Sequence, residues 1–387
     1  MSPSGSSVRS RLAALLAGSW LLLAGGAGRA SSPPPCPAGP HGLFVHAPNL
    51  PVEARHAAGI QGIILRHPTV AGANIVVPWS AVDRGPGANP RYDWTFVEEA
   101  VRPWLQAGKR IGFLVWAVAE GSAQEFGGAS MTPAYVLEQA PSVYDPAKPQ
   151  VPRTPVYWEP ACRDNYKAFL AAFAARYGSQ PWVSYIRFGI GYGAEDYVQN
   201  DYDLPPLRGQ WAAQGLSEAV WTQYSLDMLD FIGGLKCRAQ LMVTINNFKF
   251  DNSGGINRLP AAVAARAAQL GVGFGTQGLS KYDLRQEQEL LDGVPGPKGT
   301  ADWLRLFDQH AGKVPLEVQT MAWSAPNDSG RIGSLGPLVA LALRHQAQIL
   351  ELYPAEWLVA YDPSNPAYPA HHAEYAQVLE DAAALLD

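Results

Sequence analysis

The chain has 387 residues, 47% of them hydrophobic and 16% charged, which excludes a disordered polypeptide and allows a large buried core. Lys+Arg 29 against Asp+Glu 34 leaves a net charge of −5, so a nucleic-acid partner held through its phosphates is not expected. The 12 tryptophans and 16 tyrosines suit a core, and they also suit a groove on which sugar rings stack.

The first 30 residues read as a unit of their own. Arg9 and Arg11 precede an apolar run from Leu12 to Ala24, and small residues follow up to Gly28-Arg29-Ala30. This order predicts a secretory signal over residues 1–30, cut near Ala30. The run is shorter than the roughly 20 residues that a bilayer span needs, and an uncleaved anchor is the alternative. Cys36 stands behind Pro33-Pro34-Pro35, where it does not suit a lipid anchor. Loss of Arg9, Arg11 and Arg29 takes the charge from −5 to −8. The expected destination is the periplasm or the exterior, with no membrane span in the mature protein. Residues 31–41 form a Pro/Ser/Gly linker.

Short apolar runs then alternate with amphipathic stretches. The strand candidates are Leu43–Ala47, Ala73–Trp79, Arg110–Val118, Val183–Tyr192, Gln240–Asn247, Gly271–Gly278, Val314–Met321 and Trp357–Tyr361. Each has the length and continuity of a strand buried on both faces. Helix candidates between them are Trp94–Ala107, Arg163–Tyr177, Glu218–Leu235, Ala261–Leu270, Ala301–Ala311 and Leu338–Leu352, with Asp93, Asp164 and Ser217 as capping residues. Eight alternating units predict a parallel sheet closed as a (β/α)8 TIM barrel, one domain over residues 42–387. An open doubly wound sheet is the alternative, but Ala47-Pro48-Asn49 stands where its Gly-rich loop belongs. Two long connections, Glu120 to Ala161 and Asp196 to Leu216, follow the third and fourth strands and suit lids or binding walls. With Cys162 near one end of such a barrel and Cys237 near the other, Cys36 with Cys237 is the expected disulfide in an exported chain.

Alternation along the strands sorts the side chains. In the seventh strand Leu316 and Val318 face the helices, so Glu317 and Gln319 point inward. A carboxylate inside a barrel is expensive unless it is paired or functional. In the fourth strand Arg187, Gly189 and Gly191 face in, and the glycines leave room for a ligand above them. Glu195 and Asp196 fall just past that strand. Glu317 paired with Arg187 and Glu195-Asp196 in a solvated loop are the structural alternatives. Taken together, the two acids approach one cleft from two sides, as glycoside hydrolysis requires.

The chain here resembles the clan A glycoside hydrolases, the four/seven superfamily. Ala73-Asn74-Ile75-Val76-Val77-Pro78-Trp79 with Tyr92-Asp93-Trp94 is similar to their second unit, and Lys109-Arg110-Ile111 into Trp116 to their third strand. The resemblance implies an acid/base after strand four and a nucleophile on strand seven, here Glu195 and Glu317, with Asp196 a substitute for Glu195. The Asn-Glu pair that closes strand four in that group is replaced by Gly193-Ala194-Glu195-Asp196. That replacement keeps a second expectation open, a barrel that binds carbohydrate without cleaving it.

Further positions fit a site for an oligosaccharide or polysaccharide. His46 and Asn49 end the first strand, Trp79 the second, Trp116 the third, Asn246 and Asn247 the fifth, Gln277 the sixth. Trp323 follows the seventh, and Asp362 ends the eighth. Arg187 lies beneath them. No metal-ligand spacing, Gly-x-Ser-x-Gly elbow or phosphate loop occurs, so no metal or other cofactor is expected. The protein is expected to be a monomer or a weak oligomer.

Overall fold

The structure, a computed structural model, describes residues 39–47, 60–119, 130–149, 151–245, 258–291, 302–322, 324 and 332–387. The signal segment, Cys36, Asn49, Asn246, Asn247 and Trp323 lie outside the described residues.

Eight parallel strands close a barrel: β1 Gly42–Ala47, β2 Val70–Pro78, β3 Arg110–Trp116, β4 Val183–Phe188, β5 Gln240–Thr244, β6 Gly273–Leu279, β7 Leu316–Thr320 and β8 Ile349–Leu352. Each pairs with its neighbours in chain order, and β8 closes on β1 through Gly42↔Ile349. The fold is a (β/α)8 TIM barrel of one domain. Helices α1 Thr95–Gln106, α2 Ala134–Gln139, α3 Pro160–Tyr177, α4 Leu207–Ala213, α5 Glu218–Gly234, α6 Arg258–Leu270, α7 Lys281–Leu291, α8 Asp302–His310, α9 Leu335–Arg344, α10 Pro354–Tyr361 and α11 Tyr368–Leu386 complete it.

The period of two works as expected. Ile75, Val77, Phe113, Val115, Ile186, Phe188, Leu316 and Val318 join the layer under the helices. Phe44, Tyr185, Met242 and Ile349 fill the lower interior. Such large side chains need gaps opposite them. A Cβ on Gly112 would stand 2.1 Å from Cζ of Tyr185, and one on Gly72 would stand 2.5 Å from the Phe44 ring.

Three sequence expectations are corrected. Trp357–Tyr361 is not the eighth strand but the end of helix α10, and the strand is Ile349–Leu352. Pro354 in the first turn starts that helix, and a fully buried helix shows the same continuous apolar run as a buried strand. The helix expected over Leu338–Leu352 therefore stops at Arg344. Asp164 lies inside α3 rather than at its cap, because the helix already begins at Pro160. Ser217 does cap α5, accepting from Val220 N at 3.2 Å.

The described part of the long connection after β3 is tied down. It holds α2 and a two-stranded ribbon of Ser142–Val143 with Thr154–Pro155. Tyr135 of α2 donates to Asp83 at 2.8 Å, Trp79 Nε1 donates to the same carboxylate at 3.0 Å, and Arg91 donates to both its oxygens at 3.0 and 2.9 Å. Burial raises the pKa of Asp83, but these bonds outweigh it and hold the carboxyl below its ordinary value. Asp83→Asn should lower stability by about 3 kcal/mol in urea unfolding and speed proteolysis within residues 120–159. Unchanged unfolding would mean that the knot does not hold the loop.

Candidate active site

The C-terminal mouth of the barrel is shaped by the turn after β4. Gly193 and Ala194 both take left-handed backbone, with φ of 62° and 65°. For an alanine this costs on the order of 1–2 kcal/mol, so the surroundings must impose it. Gly191 N donates to Glu195 O at 2.7 Å and Glu195 N to Tyr192 O at 3.1 Å. Gly193 N donates to Val118 O, beyond β3, at 2.8 Å, and Gln277 of β6 donates to Gly193 O at 3.1 Å. The turn is thus fastened to strands on both sides of β4.

Ala194 is fully buried against Val76 and Leu114. The expectation that Gly189 leaves room for a ligand is corrected here. A Cβ on Gly189 would stand 2.5 Å from Cα of Ala194, and one on Gly191 would stand 2.3 Å from the carbonyl of Tyr197, so both glycines admit the turn itself. Of the two acids that follow, Asp196 is fully buried and Glu195 only partly. The Asp196 carbonyl accepts from Trp221 Nε1 at 2.9 Å. Behind it Tyr157, Trp221 and Tyr224 pack ring against ring.

Beneath the mouth lies a sealed charge cluster. Arg187 donates through Nη1 to Glu317 and through Nη2 to Gln319 and Glu351, each at 3.0 Å for the latter two. Tyr185 donates to Glu351 at 2.7 Å, and His46 Nδ1 lies 3.8 Å from the same carboxyl. Arg187, Glu317 and Glu351 all have zero exposure. Burial raises the pKa of Glu317 well above its ordinary value, more than Arg187 pulls it down. Burial also opposes the charge of Glu351, but Arg187, His46 and Tyr185 outweigh it and hold that carboxyl below its ordinary value. Two acids face one guanidinium, and of the two it is Glu317 whose charged form burial disfavours more. Its Oε1, both amide atoms of Asn74 and Nε of Arg187 have no hydrogen-bond partner among the described residues.

His46, Trp116 and Gln277 lie toward the C-terminal ends of β1, β3 and β6, and Arg187 is buried inside the barrel. Trp79 is corrected. Its side chain has turned into the outer wall, fully buried against Tyr166 and Phe169, and its indole serves Asp83. Asp362 is corrected too. Helix α10 carries it away from the mouth, its neighbour Tyr361 stacks on His67 just before β2, and its side chain caps Ser364 in an exposed turn. Glu351 and Asn74 were missed. Glu351 gave the same signal as Glu317, an acid inside an apolar run, but that run was read as the end of a helix. Among the described residues, no group of three or more His, Cys, Asp or Glu is placed to hold a metal ion, and Cys162 and Cys237 are free thiols.

No protein-family model and no curated protein matches this chain. Among solved structures it is similar to the beta-galactosidase from the psychrophilic Marinomonas ef1 (TM-score 0.48, 13% identity, 89% of this chain and 59% of that one). It is also similar to a thermostable mutant of the xylanase Xyn10A from Cellvibrio japonicus (TM-score 0.47, 13% identity, 90% of this chain and 98% of that one). A third is the exo-beta-1,4-mannosidase Op5Man5 from Opitutaceae bacterium strain TAV5 (TM-score 0.46, 11% identity, 90% of this chain and 60% of that one). The chain thus spans 59% of the length of the galactosidase it resembles. At these scores the likeness says nothing about what this chain acts on, and the barrel rests on its own strand pairing.

One more buried acid borders the mouth. Glu356 of α10 accepts from Ser324 N at 2.6 Å and from Ser324 Oγ at 2.7 Å, and that hydroxyl also meets Tyr375 at 2.8 Å. Burial pushes the pKa of Glu356 up to about 7, more than the Ser324 bonds lower it. A raised carboxyl favours folding below its unfolded pKa and loses that contribution as pH rises through the folded one. Wild-type stability should therefore fall between pH 4.5 and 7 by on the order of 3 kcal/mol from this group, and Glu356→Gln should flatten that segment of the stability–pH curve. A variant curve parallel to wild type would contradict it.

The charge cluster yields a second test. Glu351→Gln removes the ionised partner of Arg187 and should cost about 3–5 kcal/mol in urea unfolding. Glu317→Gln, at the carboxyl whose charge burial disfavours, should cost less, about 1 kcal/mol. The reverse ranking would show that Glu317 carries the charge.

Proposed function

We propose that the protein is an exported glycoside hydrolase working at the C-terminal mouth of its barrel, with Glu195 as acid/base. The observation that carries this reading is the strained turn over the mouth. Two left-handed residues, fastened from β3 and β6, lead into the partly exposed residue Glu195 just past the end of strand four. Backbone strain of this kind collects at working sites. At the same end of the barrel, His46, Trp116 and Gln277 close β1, β3 and β6 with an imidazole, an indole and an amide, groups that can meet sugar hydroxyls and apolar sugar faces.

In the retaining scheme Glu195 protonates the leaving oxygen and later activates water, while Glu317 attacks the anomeric carbon. Arg187 bonds one oxygen of Glu317, and Oε1 has no hydrogen-bond partner among the described residues. The scheme requires Glu317 ionised and reachable, at about 5–5.5 Å from the acid/base carboxyl. A specific observation favours a second reading, a barrel that binds saccharide without cleaving it: Glu317 has zero exposure and a raised pKa, as suits a carboxyl that serves the core.

Turnover of a panel of aryl glycosides and of plant and bacterial polysaccharides separates the two. Hydrolysis by the mature protein, reduced roughly 10²–10⁴-fold in Glu195→Gln with melting unchanged, is the expected result. A comparable or larger loss in Glu317→Gln assigns the nucleophile. Saccharide binding that depends on Trp116, with no turnover of any substrate, establishes the second reading instead.

A further inference from the structure

Asn74 sits on β2 with its neighbours Ala73 and Ile75 in the layer under the helices, so it takes an inward position in the barrel. It has zero exposure, and neither atom of its amide has a hydrogen-bond partner among the described residues. Exchanging the oxygen and nitrogen of that amide changes nothing, since both lack a partner. Burying an amide without bonds is expensive, and native interiors rarely do it.

The residues on either side of it are polar. In register Asn74 stands between His46 of β1 and Gly112 of β3. His46 lies 3.8 Å from Glu351, and the Tyr185 hydroxyl, which donates to Glu351, takes the space that a side chain at Gly112 would fill. Asn74 is thus flanked by members of the Arg187 cluster and bonds to none of them. Within that cluster Nε of Arg187 and Oε1 of Glu317, both on residues of zero exposure, also lack a partner among the described residues. Apolar layers close this level of the barrel, with Val76, Leu114 and Ala194 above and Phe44, Met242 and Ile349 below.

The chemistry of these four atoms selects the occupant. Nδ2 of Asn74 and Nε of Arg187 donate, while Oδ1 of Asn74 and Oε1 of Glu317 can accept. An anion would satisfy only the donors and a cation only the acceptors, whereas water serves both. A buried water makes about three such bonds, so four atoms suit one or two molecules. The apolar layers above and below exclude a larger polar guest. We propose that the barrel holds a buried water site at the level of Asn74, where one or two molecules join its amide to the Arg187 cluster. Asn74 is then a positioning residue, which fixes Arg187 and Glu317 through water. The site does not depend on whether the mouth cleaves.

The test locates waters in a high-resolution crystal structure of the wild type and counts the long-lived ones in solution by oxygen-17 relaxation dispersion. The expected result is a water within about 3.2 Å of the Asn74 amide and of an atom of the Arg187 cluster. Asn74→Leu should lose at least one long-lived water and lower the urea midpoint, because it strips the cluster of a bonded partner. An amide without any bond gives the opposite sign, since its removal raises the midpoint. Asn74→Ser keeps a donor and an acceptor and should retain the water count. No water at the Asn74 amide, an unchanged count in Asn74→Leu, or a raised midpoint in that variant overturns the proposal. If Asn74→Leu does not fold, the wild-type crystal structure decides alone. None of these readouts uses turnover, so this site and the assignment of Glu195 fail separately.

Discussion

One guanidinium facing two acids inside a sealed barrel is the constraint around which this structure is arranged. Arg187 cannot leave its charge unpaired at zero exposure, and Glu317 and Glu351 reach it from β7 and β8. The arginine itself comes from β4, so one cluster links strands on opposite sides of the barrel. Tyr185 below and His46 beside it extend the bonding to a second residue of β4 and to β1. Two carboxylates against one guanidinium away from water push each other's pKa apart, upward for Glu317 and downward for Glu351. The lower interior, packed with Phe44, Met242 and Ile349, seals the cluster from that side.

The mouth obeys a different rule. Above the cluster the interior turns apolar again at Val76, Leu114 and Ala194, and Glu195 stands on a connection rather than on a strand. Those connections are long, yet they are not loose. Asp83 anchors α2, Gln210 exchanges two hydrogen bonds with the backbone of Tyr144, and Tyr157 donates to Val198 O at 2.9 Å. The described parts of the third and fourth connections therefore pack together around Tyr157, Trp211 and Trp221. A rigid wall of this kind can hold Glu195 in a fixed orientation, which general acid catalysis needs.

Much of this was legible in the sequence because burial on both faces writes a continuous apolar run. Seven of the eight strands and the inward direction of Arg187, Glu317 and Gln319 follow from run length and a period of two. Legibility failed where the same run admits two structures. Ala355 to Ala360 is buried all round as a helix, so it mimicked a strand and hid Glu351 in what was read as its preceding helix. Burial, not type, decided the site residues. Trp79 and Asp196 have the right chemistry, but the backbone turns one into the outer wall and buries the other, and no composition signal marks that. The glycines after β4 were noticed for the right reason, close approach, and assigned to the wrong neighbour, since Ala194 occupies the space.

The most direct test of Glu195 at a saccharide-binding mouth is a crystal structure of Glu195→Gln with an oligosaccharide that the wild type binds or cleaves. The account predicts a sugar chain across the mouth, with the side chain at position 195 within about 3.2 Å of a glycosidic oxygen and the Trp116 ring against a sugar face. A chain bound elsewhere, or one crossing the mouth with position 195 turned away from every glycosidic oxygen, would contradict it.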